Sequence, residues 1–261
     1  MRVGLVHVHS DYSRDGHDSL ERLRDIALER KISFLALTDH AEDFETELFD
    51  EYRGHCASLS DERVRLIPGL EFRFRTNAGL HLLALDLKRL SRPRTPEAFI
   101  AEMSGSAGMT LVAHPVLADY RIPTAVAERI DGVEVWNASY DSPLVPDPRA
   151  IRLLHSLRER RPTVVGIAGA DQHDASQDAG TRVILDTESA DPVEDLIAGR
   201  FTNVGRTMRF GSEVSLTSSR LRTIEAARWT VDRVGRTRRW LVGASRRMVI
   251  QCVSPPPSSR S

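Results

Sequence analysis

The stretch Val3–Ser10 (VGLVHVHS) is an apolar run that ends in two histidines separated by one residue. The run is typical of a β-strand, and side chains alternate between the two faces of a strand. His7 and His9 are therefore expected to point the same way, roughly 7 Å apart. Two imidazoles on one face at a strand end can hold one metal ion. The alternative is a half-buried strand with two polar positions facing water, and only the rest of the chain distinguishes the two.

The composition is that of an ordinary globular protein. Of the 261 residues 41% are hydrophobic and 28% are charged, and the net charge of −1 implies no particular partner. The two cysteines, Cys56 and Cys252, form no CxxC pair, which argues against a disulfide scaffold and a thiolate zinc site. The sequence has no signal-peptide pattern at Met1 and no apolar run of about 20 residues. We therefore expect a cytoplasmic protein without a transmembrane segment.

Strands and helices alternate along the first 200 residues. Such βα units imply a largely parallel sheet, and about seven strands favour an α/β (TIM-like) barrel over a small open sheet. In such barrels the chemistry lies at the C-terminal ends of the strands. We predict strands at 2–8, 32–37, 63–74, 79–87, 109–113, 132–137, 163–170 and 181–186, and helices at 18–30, 44–60, 96–107, 148–160 and 192–198.

Six of the nine histidines and three carboxylates lie at or just past these strand ends. One histidine in such a place is more often structural, but the whole set is hard to obtain by chance. His81 is the exception, because it reaches the same face only if 71–75 and 79–87 form an antiparallel pair. Imidazole and carboxylate ligands without sulfur suit Zn, Mn or Fe. The candidate ligands are His7, His9, Asp15, His40, Glu71, His81, His114, Asp171 and His173.

The other three histidines are interpreted differently. We predict His55 and His155 to be exposed helix residues. His17 is too close to the candidate ligands to be dismissed.

The candidate ligands belong to short motifs that resemble those of the polymerase and histidinol phosphatase (PHP) superfamily. The motifs occur in the family's order and cover residues 1 to about 200. The resemblance implies a distorted seven-stranded β/α barrel, up to three divalent metals, and metal-dependent hydrolysis of phosphate esters. The motifs are His7-Val8-His9-Ser10 with Asp15-Gly16, Thr38-Asp39-His40, Gly69-Leu70-Glu71, Ala113-His114-Pro115 and Asp171-Gln172-His173.

The resemblance also implies which residues hold each metal. The first metal takes His7, His9, Glu71 and Asp171. Glu71 bridges to a second metal, which His81 and His114 complete. The third takes Asp15, His40 and His173. This sequence departs from the family's first motif at Arg14, where a serine is usual. Asp39 is expected either to accept a hydrogen bond from an imidazole or to cap a strand end.

Charge favours a phosphate substrate at such a centre. Three divalent ions against three carboxylates leave a charge of about +3, and a metal can lower the pKa of bound water from about 15.7 to about 7. We expect catalysis by a metal-bound hydroxide, with Asp171, His173 and Arg73 as catalytic residues. Arg73 is the first candidate for phosphate contact, with a solvated strand charge as the alternative, and Arg121 is a weaker one.

The end of strand 132–137 offers two further candidates for substrate contact. Trp136 and Asn137 could contact a base or sugar. We favour a packed core position for Trp136.

The sequence suggests a division into a barrel at 1–205 and a basic helical extension at 206–261 with a disordered Pro/Ser-rich end. The extension carries Leu221, Ile224, Val231 and Val234 at helical spacing among arginines. It is a candidate for binding a partner or an anionic surface, and packing on the barrel with arginines in water is the favoured alternative.

The expected substrate is a phosphorylated small molecule or a nucleotide, with no stable binding of duplex nucleic acid. A non-catalytic regulatory or binding module that acts through the tail is one alternative. An amide or lactone hydrolase with the same metal chemistry is another.

Overall fold

The computed structural model describes residues 2–230, apart from positions 143, 178–179, 188–190 and 218 and the side chain of residue 78. Cys252, the helical positions Val231 and Val234, and the Pro/Ser-rich end of the predicted extension lie outside the described residues.

Six α-helices have both ends in the described ranges, and three of them begin with the same local signal. The side chains of Thr95, Asp147 and Asp191 each accept a hydrogen bond from a first-turn backbone N–H, and each is followed by proline. The capping oxygen satisfies an amide without a helical partner, and proline has no N–H to satisfy. The helices are α1 (Leu20–Glu29), α2 (Thr46–Leu59), α3 (Pro96–Met103), α4 (Thr124–Ala127), α5 (Pro148–Arg160) and α6 (Pro192–Ile197). The sequence predicts all but α4, which is too short to show a helical period.

Twelve strands occur in the same ranges. Pro68 divides the predicted strand 63–74 into β4 and β5, and Thr38 separates β2 from β3. The sequence did not indicate β11 and β12. The strands are β1 (Arg2–Val8), β2 (Phe34–Leu37), β3 (Asp39–His40), β4 (Arg65–Ile67), β5 (Gly69–Phe74), β6 (Asn77–Leu85), β7 (Met109–Ala113), β8 (Gly132–Asn137), β9 (Val165–Gly169), β10 (Arg182–Leu185), β11 (Phe201–Val204) and β12 (Arg209–Gly211).

The strands form two six-stranded sheets, with the orders β12-β11-β10-β1-β2-β4 and β3-β5-β6-β7-β8-β9. The α/β class is confirmed, but in the described residues the strands form two mixed sheets rather than one largely parallel, closed seven-stranded barrel. The β5–β6 connection is two residues long, and β10 follows β9 without a helix, so both β6 and β10 run antiparallel to a neighbour.

Backbone hydrogen bonds link the end of β9 to β1 across the two sheets. The amide of Ala170 donates to the carbonyl of Val6 at 2.7 Å, and the amide of His9 donates to the carbonyl of Gln172 at 2.9 Å. On the other side of β1, the Thr38 amide donates to the Val8 carbonyl at 2.8 Å. These bonds bring the C-terminal ends of β1, β2 and β9 together.

Two apolar clusters hold this arrangement. One joins the strands of both sheets and includes Val6, Phe34, Ile167 and Leu185. The other includes the buried faces of the helices, with Leu23 of α1 as an example. Burying a side chain of this size contributes about 1.5–3 kcal/mol, which makes these clusters the main stabilising element. None of the helices in the described ranges has the length and apolarity needed to cross a bilayer.

The described part of the C-terminal region packs on the body of the protein. Residues 209–211 pair with β11, and residues 219–230 are helical. Ile224 is buried in the larger apolar cluster, as the packed-helix alternative predicts. Arg228 does not extend into water as expected, because its side chain is only 15% exposed and lies 3.6 Å from Asp141. The predicted domain boundary at 205/206 stays a prediction.

Candidate metal centre

All nine predicted ligands lie in one cluster where the strand ends meet. Within each of four overlapping groups, every residue offers a ligand atom within 4.8 Å of the others. Eight of the nine are largely buried or partly buried, and Asp15 is the most exposed, with 43% of its side chain accessible. The groups are His9-Asp15-His40-His173, His7-His114-Asp171, His7-His9-Glu71 and Glu71-His81-His114.

Two imidazole nitrogens and two carboxylate oxygens of the cluster lie at distances close to those between ligands of one metal ion. Nε2 of His7 lies 3.7 Å from Oε2 of Glu71 and 3.5 Å from Oδ1 of Asp171. Nε2 of His9 lies 3.7 Å and 3.6 Å from the same two oxygens. Ligands about 2.0–2.2 Å from a tetrahedral ion are roughly 3.3–3.6 Å apart. The four nitrogen–oxygen distances are therefore close to those between ligands of one ion.

The two oxygens of Glu71 face different parts of the cluster. Oε1 lies 2.6 Å from Nδ1 of His81 and 3.1 Å from Nε2 of His114. Oε2 lies near His7 and His9, and 3.1 Å from Nδ1 of His40. His81 reaches the centre because β5 and β6 are antiparallel, with Arg73 opposite His81, as the sequence required.

A third region of the cluster lies nearest to solvent. Nε2 of His40 is 3.0 Å from Oδ2 of Asp15, and Nε2 of His173 is 3.6 Å from the same oxygen. The rings of His9 and His173 stack with centroids 4.1 Å apart. The side chain of His173 is 31% exposed, so this is where the cluster is most accessible.

Several buried ligand atoms have no hydrogen-bond partner within the described part of the chain. They are Nε2 of His7, both ring nitrogens of His9, Nδ1 of His114 and Oδ1 of Asp15. An unpartnered buried polar atom costs about 1–3 kcal/mol, so a native protein leaves few of them without reason. Their presence beside correctly spaced carboxylates fits a set of metal ligands.

The electrostatics of the cluster are dominated by buried negative charge. Burial disfavours the ionised form of Glu71, but the surrounding imidazoles outweigh it and hold the pKa of that carboxyl well below its usual range. Burial also opposes a charge on His7, but Glu134 and Asp171 raise the pKa of that imidazole. For His9, burial prevails and lowers the pKa to about 4. The cluster therefore needs cations, either protons or metal ions, to compensate its carboxylates.

The backbone is unusual at three of the ligands. His7, His114 and Asp171 have φ values of 69°, 21° and 46°, in or near the left-handed region. The register of β1 against β2 shifts between Val6 and Val8, so β1 is bulged rather than regular. His7 and His9 do face one another, with ring centroids 5.2 Å apart. Simple strand alternation predicts their common side but not this bulge.

The loop that carries Asp15 is fixed by Asp39. The carboxylate of Asp39 accepts hydrogen bonds from the Ser10 amide at 2.7 Å and from the hydroxyls of Ser10 and Ser13 at 2.9 and 2.8 Å. Ser13 Oγ in turn accepts from the His40 amide at 2.8 Å. The proposed bond from an imidazole to Asp39 is therefore not observed; Asp39 instead holds the turn after β1.

The other polar candidates have different surroundings. Arg73 lies at the cluster, with Nη2 2.7 Å from Nε2 of His40. Arg14 pairs with Asp43 at 2.8 Å, outside the cluster. Arg121 is 86% exposed and pairs with Asp119 at 3.5 Å, so the structure does not bring it to the site.

Trp136 and Asn137, the candidates for contact with a base or sugar, are both buried. Trp136 is fully buried and donates from Nε1 to the Ser142 carbonyl at 2.8 Å, in agreement with a core position.

His55 and His155 are half-buried rather than exposed as predicted. The His55 ring contacts the Tyr12 hydroxyl, and the His155 ring contacts the Val214 carbonyl.

A cavity of about 280 Å³ adjoins the cluster on the side of Asp171 and His173. Its lining is polar, and His17, which the sequence left open, contributes to it. The lining residues are His17, Ala138, Ser139, Ala170, Asp171, Gln172, His173, Asp174 and Gln177.

Sequence reasoning missed Glu134. This residue lies within β8, its side chain is fully buried, and Oε1 accepts a hydrogen bond from Nδ1 of His7 at 2.7 Å. The one available signal was a single carboxylate inside an otherwise apolar strand. A buried charge there requires partners, but the sequence does not say which.

Comparison with known proteins gives one family match. Residues 6–113 match the family model described as "PHP domain". The match confirms the resemblance over that range, which includes His7, His9, Asp15, His40, Glu71 and His81. No curated protein matches the chain.

Three solved structures are similar in shape. A protein assigned as a metal-dependent phosphoesterase from Bifidobacterium adolescentis is 16% identical, with 67% of this chain and 88% of that chain covered and a TM-score of 0.49. An amidohydrolase from Chromobacterium violaceum is 16% identical, with 76% of this chain and 96% of that chain covered and a TM-score of 0.48. Endonuclease Q bound to a duplex with an abasic lesion is 14% identical, with 76% of this chain and 56% of that chain covered and a TM-score of 0.49. At such values the neighbours carry no information about the substrate of this chain.

Proposed function

We propose that this protein is a metal-dependent phosphoesterase that uses the cluster as its active centre, because residues 6–113 match the PHP domain family model. The observation that supports this most directly is the spacing of 3.5–3.7 Å between the imidazole nitrogens of His7 and His9 and the carboxylate oxygens of Glu71 and Asp171. We propose Zn, Mn or Fe as the metal, at up to three positions.

The proposed ligand sets follow the grouping of the side chains. His7, His9, Glu71 and Asp171 would hold the first ion. Glu71 would bridge to a second with His81 and His114, since its two oxygens face the two groups. Asp15, His40 and His173 would hold the third. His9 also lies within 4.8 Å of this last group, so it could serve either ion.

The chain's own residues would bind and orient the substrate. When bound, divalent ions generate a nucleophile from water at neutral pH and compensate the charge of a phosphoryl group. Arg73, 43% exposed at the edge of the cluster, would donate a bidentate pair of hydrogen bonds to a phosphate. Asp171 and His173 belong both to the cluster and to the cavity wall, which supports their role as catalytic residues.

The polar cavity supports a small phosphorylated molecule or a nucleotide as the substrate. Its 280 Å³ would take the organic part of the ester, with hydrogen bonds to His17, Ser139 and Gln177. We propose no stable binding of duplex nucleic acid. Association of the basic C-terminal residues with a partner or an anionic surface, and a cytoplasmic location, stay proposals that rest on the sequence.

We also propose that strands of the two sheets together form one distorted seven-stranded barrel. The supporting observations are the hydrogen bonds between β9 and β1, and the single residues, Thr38 and Pro68, that separate β2 from β3 and β4 from β5. Active sites of such barrels lie at the C-terminal strand ends, where this cluster is found.

The test is hydrolysis by purified protein loaded with Mn or Zn. An aryl phosphomonoester, an aryl phosphodiester, an aryl amide and a lactone are offered in parallel. We expect hydrolysis of one or both phosphate esters, and a loss of at least 100-fold in H173A. H155A is the matched control, because His155 is also half-buried but lies on α5 outside the cluster.

Three outcomes would contradict the proposal. Bound metal with no turnover of either phosphate ester would favour the non-catalytic module. Faster hydrolysis of the amide or lactone would favour the alternative hydrolase. Equal activity of H173A and wild type would remove the cluster from the mechanism.

A further inference from the structure

Glu134 is a buried carboxylate that no predicted ligand set includes. It lies on β8, and its side chain has no exposed surface. Burying a carboxylate costs several kcal/mol unless it is hydrogen-bonded or paired. The groups that hydrogen-bond to Glu134 therefore indicate its role.

Three donors satisfy the two oxygens of Glu134. Oε1 accepts from Nδ1 of His7 at 2.7 Å. Oε2 accepts from the backbone amide of His114 at 2.6 Å and from Nδ2 of Asn137 at 2.8 Å. Two of the three donors thus belong to candidate metal ligands that come from different strands, β1 and the end of β7.

The bond to His7 fixes which ring nitrogen is free. An ionised carboxylate only accepts, so Nδ1 of His7 carries a proton, and in the neutral imidazole that binds a metal Nε2 is the nitrogen with the lone pair. It is Nε2 that lies 3.5–3.7 Å from Asp171 and Glu71 and has no hydrogen-bond partner in the described ranges. Histidines that bind metals usually donate their other N–H to a carboxylate in this way.

The bond to His114 fixes a backbone amide beside a ligand with a φ of 21°. A residue in so sparsely populated a conformation persists only when its surroundings hold it there. The 2.6 Å bond from its own amide supplies such a constraint.

The space for Glu134 is made by Gly169 on β9. A Cβ atom at Gly169 would lie 1.9 Å from Oε1 of Glu134, so no other residue fits there without displacing the carboxylate. Asn137 extends the network outward, since its Oδ1 accepts from the amides of Ser139 and Tyr140 at 3.0 and 3.1 Å. Ser139 is in the cavity wall. One carboxylate thus connects β1, β7, β8 and the cavity.

We infer that Glu134 is a positioning residue of the metal centre, which orients His7 through Nδ1 and His114 through its backbone amide. This inference rests on the proposed function only in requiring that the cluster bind metal. It requires no particular substrate.

Replacement by glutamine should be informative because it preserves shape. Glutamine offers one acceptor oxygen, whereas the three donors occupy both oxygens of Glu134. Either orientation of the amide therefore points an NH₂ group at a donor. The matched control is D195N, because Asp195 is also fully buried and accepts from Thr187 and Arg200, at 2.5 and 2.8 Å, on α6.

The experiment titrates metal-free wild type, E134Q and D195N with Zn²⁺ and with Co²⁺, and follows binding by calorimetry and by the Co²⁺ absorption spectrum. Loss of the carboxylate that accepts a hydrogen bond from a metal-binding histidine typically weakens metal binding 10–100-fold. We expect that loss and an altered Co²⁺ spectrum in E134Q, with less than a twofold change in affinity in D195N. Circular dichroism establishes that the variants are folded.

A second measurement needs no variant to fold. ¹⁵N-resolved NMR of the imidazoles in Zn²⁺-loaded wild-type protein should show His7 protonated at Nδ1. Protonation at Nε2 instead would overturn the inference, as would a folded E134Q with wild-type affinity and spectrum. Failure of wild type to bind metal would overturn the proposed function as well, which separates the two failures.

Discussion

Nε2 of His7 lies 3.5 Å from Oδ1 of Asp171, although the two residues end strands that belong to different sheets. Both residues have positive φ, at 69° and 46°, a conformation that costs roughly 1–3 kcal/mol in non-glycine residues. The fold thus brings a strained pair together and leaves the nitrogen without a hydrogen-bond partner among the described residues. A bound cation would satisfy both groups, and the stability of the protein should depend on it.

Metal should raise the stability of the folded protein. At a free metal concentration about 100 times Kd the gain is about 2.7 kcal/mol, which raises Tm by roughly 5–10 °C in a chain of this size. Calorimetric scans with and without Zn²⁺ measure it. H9A is the informative variant, because neither ring nitrogen of His9 has a partner in the described part of the protein. An unchanged metal-induced rise of Tm in H9A would exclude His9 as a ligand.

Arg73 should contribute to substrate binding, whereas Arg121 should not. A charge-assisted hydrogen bond to phosphate contributes about 1.5–3 kcal/mol, so R73A should lower kcat/KM for a phosphate ester by about 10–100-fold. R73K keeps the charge without the planar guanidinium and should recover part of the loss. R121A is the control, since Arg121 is 86% exposed and paired with Asp119. Steady-state kinetics with equal effects of R73A and R121A would contradict the assignment.

Gly16 should be essential to the loop that carries Asp15. A Cβ at this position would lie 1.9 Å from the Ser10 carbonyl oxygen, so the loop would have to shift. We expect G16A to lose about 1–3 kcal/mol of stability and to bind metal more weakly.

The matched control for that variant is G54A. Gly54 lies in α2 with nothing within 4 Å of the added Cβ. Alanine should stabilise that helix by about 0.5–1 kcal/mol. Urea denaturation measures both variants, and a stability of G16A at or above that of wild type would refute the steric explanation.

Asp141 should make stability fall as pH rises. Burial raises its pKa to about 7, although the Asn137 amide and Arg228 favour its charged form. The folded state therefore holds the proton more tightly than the unfolded chain. The stabilisation of the folded state by the protonated Asp141 carboxyl is fully present below about pH 4 and is lost as pH approaches 7.

The substitution D141N should remove that dependence. Its stability relative to wild type should increase by roughly 2–3 kcal/mol between pH 5 and pH 8. Urea denaturation at the two pH values measures this difference. D25N, which changes a carboxylate that is 61% exposed on α1, should show no such trend. A parallel change in D141N and wild type would contradict the prediction.

The position of the cluster could be predicted because strand ends are marked by the sequence itself. The apolar runs that end at His9, His40 and His114 are local features, and the family's motif order joins them. Helix starts were equally local, since Thr95, Asp147 and Asp191 each precede a proline.

What the sequence did not reveal depends on contacts between distant residues. Strand direction at β10 follows from the absence of a crossover helix, which apolar periodicity alone does not show. The carboxylate that bonds the His7 imidazole is Glu134. Asp39, for which an imidazole bond was one of two alternatives, instead accepts from Ser10 and Ser13. Which carboxylate meets His7 is decided by the bulge in β1 and by the space at Gly169, and neither has a local signature.

The four residues proposed to hold the first metal are His7, His9, Glu71 and Asp171, so this ligand set spans most of the described chain. During synthesis the first three leave the ribosome long before the fourth. A nascent chain that stops before β9 has no Asp171 and cannot complete the set. Capture of this first metal would then be a late event of biogenesis, because its ligand set is complete only once Asp171 has been synthesised.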